Sequence, residues 1–228
     1  MTAMDDRTPE YRIRSEVRHD WPVYAVWLVM IGVGIWALPQ LPARVATHFG
    51  FNGQPNGWMT PIAAISFPVG LSILLWLFLL VVPAIDPRRR NYAAFLPFYR
   101  AMRLLLVLVL AFTSFSTIWR GLGHALEVAD VVVLVVGLLF MFIGNSLGRV
   151  RHNYFVGIRT PWTLANEEVW RRTHRFGGPV FMVGGLLPVV LLPLWPQAAR
   201  LVLLVSVGAA ALIPIVYSFF AYKRVVGE

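Results

Sequence analysis

The sequence predicts an all-α integral membrane protein, a polytopic bundle of about six transmembrane helices with a short interfacial amphipathic helix. Three observations predict it. Of 228 residues, 58% are hydrophobic and only 14% are charged, against about 25% charged in ordinary soluble domains. The apolar residues fall in long blocks rather than short alternating patterns, and the mean hydropathy is +0.67. Of the 20 Lys and Arg, all but Arg44, Arg120 and Arg200 lie in every second gap between those blocks.

A span needs about 20 mostly apolar residues to cross the hydrocarbon core. The blocks at 21–38, 61–84, 101–118, 128–147 and 201–222 meet or approach that length. The block at 179–195 is short and carries Pro188 and Pro193, which leaves full crossing, tilt or re-entry open there. Backbone groups in lipid must satisfy one another, so the spans are helices. Pro68, Pro188 and Pro214 each free a carbonyl and kink the helix around them.

Orientation follows from the arginines, because cytoplasmic loops retain an excess of positive charge. Both termini then face the cytoplasm. The expected organisation is a cytoplasmic tail at 1–20 and a first helix pair at 21–84 enclosing an external, turn-rich loop at 39–60. A basic cytoplasmic loop at 85–100, a second pair at 101–147 and a cytoplasmic block at 148–178 follow. A third pair at 179–222 and a tail at 223–228 complete the chain. The opening MTAMDDRTPEYRIRSEVRHD is polar and of mixed charge, with no small-residue cleavage pattern, so it reads as a tail rather than a cleaved signal. Trp21, Trp58, Trp119 and Trp195 fall near expected interfaces, where amphipathic rings are favoured.

Composition removes several functions. Without cysteine there is no disulfide framework, Cys-ligated metal or Cys nucleophile. The net charge of +9 suits either nucleic acid or topology. The confinement of arginine to alternate gaps favours topology and the lipid bilayer as partner, with no direct nucleic-acid contact. No ionisable residue sits in the middle of a span, which argues against an ion-coupled transporter. Arg103 and Asp130 lie near span ends, within snorkelling reach of water. Asn145, about one turn from the end of its span, either bonds across helices or caps the helix.

Two connections are long enough to carry function. The external one reads PQLPARVATHFGFNGQPNGWMTP, with turn dipeptides at Asn52-Gly53 and Asn56-Gly57. Its His48 is one ligand, and one ligand is not a metal site. It reads either as a compact cap over helix ends or as a recognition surface. The cytoplasmic one reads GNSLGRVRHNYFVGIRTPWTLANEEVWRRTHRFGGP. Pro161 suits a first helical turn, with Thr160 or Thr163 as cap. Glu167 and Glu168 precede Arg171 and Arg172 by four residues, the favourable order for helix pairs. Trp170 and His174 share one face, and Arg171, Arg172 and Arg175 another. Gly177 and Gly178 are placed to stop this helix before Pro179 opens the next span. Such a helix either lies on anionic lipid or docks a soluble partner. His152, Glu167, Glu168 and His174 match no zinc spacing, and no metal or other cofactor is expected.

The stretch GIRTPWTLANEEVWRRTHRFGG, Gly157 to Gly178, resembles the signature block of the SdpI family, and Asn145 in GNSLGRVRHNYF fits the residues leading into it. LPARVATHFGFNGQPNGW resembles the small domain of unknown function that often precedes that block, through Pro42, His48, Phe49 and Gly53. It departs from that pattern at Asn56, where Asp is common. The resemblance implies immunity against a secreted toxic peptide and recruitment of a soluble transcriptional repressor to the membrane. On that reading His48, Phe49, Asn52, Gly53 and Asn56 form the external recognition set. Asn145, Asn153, Gly157, Arg159, Thr160, Pro161, Trp162, Thr163, Glu167, Trp170, Thr173, His174 and Gly177 form the cytoplasmic set. No catalytic residue is expected. The competing readings are a membrane enzyme with a polar site on the cytoplasmic face and a carrier of a hydrophobic small molecule.

Overall fold

A computed structural model describes residues 11–50 and 52–227. The first ten residues of the expected tail, with Arg7, and the last residue lie outside them. Six helices among the described residues are long and apolar enough to cross a membrane. In chain order the elements are α1 (Ile13–His19), α2 (Trp21–Ala37), β1 (Val45–Phe49), β2 (Pro55–Met59), α3 (Pro61–Ile85), α4 (Leu96–Gly121), α5 (Val128–Leu147), α6 (Pro161–Ala165), α7 (Glu167–Leu191) and α8 (Pro196–Val226). The bundle has a hairpin end, holding β1 and β2, and a block end, holding α1, α6 and the described parts of both chain ends.

The main departure from sequence expectation is α7. Gly177, Gly178 and Pro179 do not break it; one helix runs from Glu167 through both Pro179 and Pro188. The amphipathic segment is the first half of a span rather than a separate helix before a short one. Proline costs one backbone bond, and in a low-dielectric interior every other backbone group still has only the helix as partner. The glycines serve packing instead. A Cβ at Gly144 would lie 2.6 Å from the Gly178 carbonyl oxygen. Seven residues on, Gly185 meets Gly137, so the pairs 137/144 and 178/185 repeat at the heptad spacing of a close helix crossing. This seam joins α5 to α7, and α7 packs along α8.

α4 begins at Leu96, five residues before the expected span, and α8 continues to Val226 into the expected tail. The loop at 39–60 is not only turns. β1 and β2 pair antiparallel, with Val45 opposite Met59 and His48 opposite Gly57. Gly53 adopts φ +77° in the turn, and the Asn52 side chain accepts from the Gln54 amide at 3.1 Å, an Asx turn that closes the hairpin.

Arg103 does not snorkel. It is fully buried, and its Nη2 donates to Glu16 at 2.8 Å and Asp20 at 2.9 Å. Arg100 binds the same Glu16 at 2.6 Å. The Trp76 indole donates to Asp20 at 2.8 Å, and the Tyr11 hydroxyl to the Leu80 carbonyl at 2.7 Å. From Tyr11 on, the segment expected as a cytoplasmic tail is folded onto the block end. It supplies both carboxylates that a buried arginine in α4 needs. Burial alone would raise the Glu16 carboxyl, but its bonds to Arg100 and Arg103 outweigh that and hold it below its ordinary 4.5. Burial pushes Tyr11 up to about 12, against the opposing pull of Arg103.

Candidate functional site

The hairpin end is organised by a short sequence of turn and polar residues. His48 and Asn56 bond side chain to side chain across the two strands. Gly57 opposite His48 has no room for a side chain, since a Cβ there would lie 2.9 Å from the His48 Cβ. Phe49 lies under the Arg120 guanidinium, 5.3 Å from its ring centre. Gly53 rests on the charged rim of the bundle, where a Cβ would come within 2.6 Å of Glu127 Oε2. Arg200 in that rim binds Asp130 at 2.7 Å. The five expected external residues are therefore gathered in one hairpin that packs on α4, with its turn at Gly53 against Glu127 and Arg200. His48, Asn52 and Asn56 are exposed, and Gly53 is buried.

Beneath this hairpin lies a groove of about 910 Å³. α4 and α5 form its floor, and α3 and α8 stand apart as its walls. Phe67, Val132, Val136, Leu204 and Val207 make it apolar. Phe67 and Leu204 are more than half exposed on the helix exterior, so the groove opens toward lipid. The floor carries hydroxyls. Those of Thr113 and Thr117 bond back to α4 carbonyls. Ser114, only 6% exposed, lines the groove, and its hydroxyl has no hydrogen-bond partner among the described residues.

The block end is held by a dense polar scaffold. Asn153, completely buried, folds the loop before α6: its Oδ1 accepts from the Phe155 and Val156 amides, and its Nδ2 donates to the Arg151 and Val156 carbonyls. Asp86, also buried, accepts from the Arg88 and Tyr154 amides and the Tyr92 hydroxyl. His152 Nε2 meets Arg88 Nη1, and Asn91 donates to the His152 carbonyl. Burial, then the Arg88 charge, holds the His152 ring below its ordinary value of 6.5.

The block's own motif residues tie this loop to α7. Trp170 donates to the Val150 carbonyl at 2.9 Å and stacks on His174, their ring centres 4.0 Å apart. His174 Nε2 accepts from the Ile158 amide, so Nδ1 carries the proton given to the Trp170 carbonyl. Gly157, at φ +116°, leaves the His174 ring the space a Cβ would take. Thr160 caps α6 with Thr163 in a reciprocal capping box, with Pro161 in the first turn as expected. The Thr160 hydroxyl meets Ser218 of α8 at 3.0 Å, and Trp162 packs on Phe219. Gly177 fits against Ile158 and Pro214. The Thr173 hydroxyl is buried without a partner among the described residues.

Three placements differ from the sequence reading. Glu167 does not pair with Arg171; Glu168 binds both Arg171, at 2.5 Å, and Arg172, at 2.6 Å. Asn166, unassigned from sequence, caps α7 through the Glu168 and Val169 amides, which draws the helix start to Glu167. Asn145 neither bonds across helices nor caps; it is exposed on α5 without a side-chain bond among the described residues. Trp170 faces the protein core rather than lipid. Arg159, whose side chain donates to the Tyr154 carbonyl, and Arg171, Arg172 and Arg175 are exposed. No group of three or more metal-ligating side chains forms among the described residues. Asp86 and Ser114 escaped the sequence reading. The one signal for Asp86 is an acidic residue that, with Pro87 between, precedes three arginines; Ser114 has none.

Comparisons with known proteins agree with this layout. The SdpI/YfhL protein family matches residues 149–218, from the loop before α6 to the α8 turn that holds Thr160. A domain of unknown function, DUF1648, matches residues 25–73, which span α2, the hairpin and half of α3. The immunity protein SdpI of Bacillus subtilis (strain 168) is 29% identical over 188 residues, covering 82% of this chain and 88% of that protein. No solved structure matches the chain. With its block end built from the segment that matches the SdpI/YfhL family and its hairpin from the preceding matched domain, the chain is a multi-pass membrane protein similar to the SdpI immunity protein over most of its length.

Proposed function

We propose that this chain is an SdpI-like immunity protein of the cell membrane that protects its cell from a secreted toxic peptide. The observation that carries this is the similarity to an immunity protein along most of both chains, reaching both ends of the bundle. The charge pattern supports an orientation with the hairpin outside and the block inside, because the exposed arginines of 149–175 lie at the block end. The second half of the proposal is relay: a soluble repressor docks on the exposed arginine face at Arg159, Arg171, Arg172 and Arg175. α8 supports relay, since it walls the groove at Leu204 and holds the block at Ser218. The role is binding and protection, with no catalytic step.

Sensitive cells challenged with membrane-active secreted peptides should survive better when they express the chain. Equal killing with and without it across the peptides tested refutes the immunity reading. The chain has no cysteine, which makes orientation testable by single substitutions. Asn56→Cys should react with an impermeant thiol reagent in intact cells, and Glu168→Cys only after the membrane is opened.

A further inference from the structure

The groove under the hairpin opens toward lipid but is not uniformly apolar. Its distinguishing feature is Ser114, 6% exposed on the groove floor, whose hydroxyl bonds nothing among the described residues. Neighbouring hydroxyls show that the helix itself offers partners: Thr113, Ser116 and Thr117 all donate to α4 carbonyls. Ser114 instead faces the groove, where an unmet hydroxyl in an apolar medium favours any ligand that satisfies it.

Depth selects the ligand. Ser114 lies seven residues before the end of α4 at Gly121, which at helical rise is about 10 Å inside the hairpin end of the bundle. The acyl chains of a lipid carry no polar group at that depth, because headgroup and ester lie at the interface. A peptide helix lying in the membrane does, through Ser, Thr, Asn or Gln side chains that bond across helix pairs. The exposed groove walls at Phe67 and Leu204 suit the apolar flanks of such a helix. The exposed His48–Asn56 pair lies at the mouth, where a peptide leaves the hydrocarbon.

We infer that this groove is a lateral binding site for a membrane-inserted apolar peptide helix bearing one polar side chain level with Ser114. The inference rests on the immunity reading for its biological meaning but is tested without it. The full chain is placed in phosphatidylcholine nanodiscs with Val207→Cys labelled by bimane, a groove-wall reporter that is partly exposed. The probes are two synthetic Leu/Ala transmembrane peptides carrying a quenching Trp, one with a single Asn set about 10 Å from its end and one without it. A third probe is brominated phosphatidylcholine.

The Asn peptide should quench the reporter at about three- to tenfold lower concentration than its apolar twin. Ser114→Ala should erase that difference while leaving size-exclusion behaviour unchanged. Leu204→Trp, which narrows the groove from an exposed wall position, should weaken both peptides. Equal quenching by the two peptides overturns the proposal, as does an Asn preference that survives Ser114→Ala. Quenching by brominated lipid that neither peptide displaces makes the occupant lipid and also overturns it. Protection of cells that persists in both variants would sink the groove while leaving immunity intact. Peptide binding without protection would do the reverse.

Discussion

Replacing Arg103 with Met should release α1 from the bundle. Arg103 is fully buried and sits between Glu16 and Asp20, which are 1% and 4% exposed. Removing the cation leaves two carboxylates in a dry site with only Arg100 and Trp76 as partners. Breaking a buried pair from one side costs about 3–5 kcal/mol. α1 is seven residues long, with Glu16 its only buried side chain, so little apolar contact opposes release. The cost therefore appears as local undocking rather than unfolding of the spans. A 3 kcal/mol shift raises the undocked population about a hundredfold. Limited trypsin cleavage after Arg14 and Arg18, read by mass spectrometry on protein in nanodiscs, measures it in the regime where proteolysis tracks the open fraction. A triple variant with Glu16→Gln, Asp20→Asn and Arg103→Met removes the uncompensated charge and should return cleavage most of the way to the parent rate. Low pH offers a second handle. The Glu16 carboxyl is held below its ordinary 4.5, so its contribution is complete above that value and is lost as pH falls through the depressed folded value. Undocking should accordingly increase below about pH 4.5 in the parent and not in Glu16→Gln. Cleavage of Arg103→Met within twofold of the parent would refute the reasoning.

Gly157→Ala should destabilise the block end by about 1–3 kcal/mol, through a left-handed φ and the loss of space for His174. Thermal unfolding of the purified protein, followed by Trp fluorescence, reads it. Gly144→Leu should prevent correct packing of α5 on α7, whereas Gly208→Ala, with nothing within 4 Å of its Cβ, should stay within about 0.5 kcal/mol of the parent; monodisperse yield separates them. His152 is held below 6.5, so the loop it braces against Arg88 is fully stable above pH 6.5 and loses protection as pH falls through the lowered folded value. Hydrogen exchange at Tyr154–Val156 should rise over that range and become flat with His152→Gln.

The spans were legible because lipid imposes a crude rule on composition, and the arginine pattern was legible for the same reason. What remained hidden depended on partners distant in sequence. Arg103 looks like an interfacial residue until Glu16 and Asp20, more than eighty positions earlier, fold against it. Gly177-Gly178-Pro179 is a helix stop by local chemistry, yet Gly178 is needed for the approach of α5, and the helix carries through. The hairpin was read as turns because its strands are short and only partly alternating, with an irregular register around His48. Thr160 and Pro161, whose roles are local, were read correctly.

The placement of the signature block changes where recognition must be sought. Asn153, Gly157, Thr160, Thr163, Trp170, His174 and Gly177 carry the resemblance to the family, and all but Gly157 are buried or committed to loop closure. Their chemistry is spent on one another: each polar atom of the Asn153 amide and both ring nitrogens of His174 already have partners. On the proposed relay reading, a docking protein would meet the side chains left outside that network, above all the exposed Arg171, Arg172 and Arg175. On that reading, chains that share this block could differ in partner, because the block fixes the shape of the platform and the exposed helix face fixes its charge.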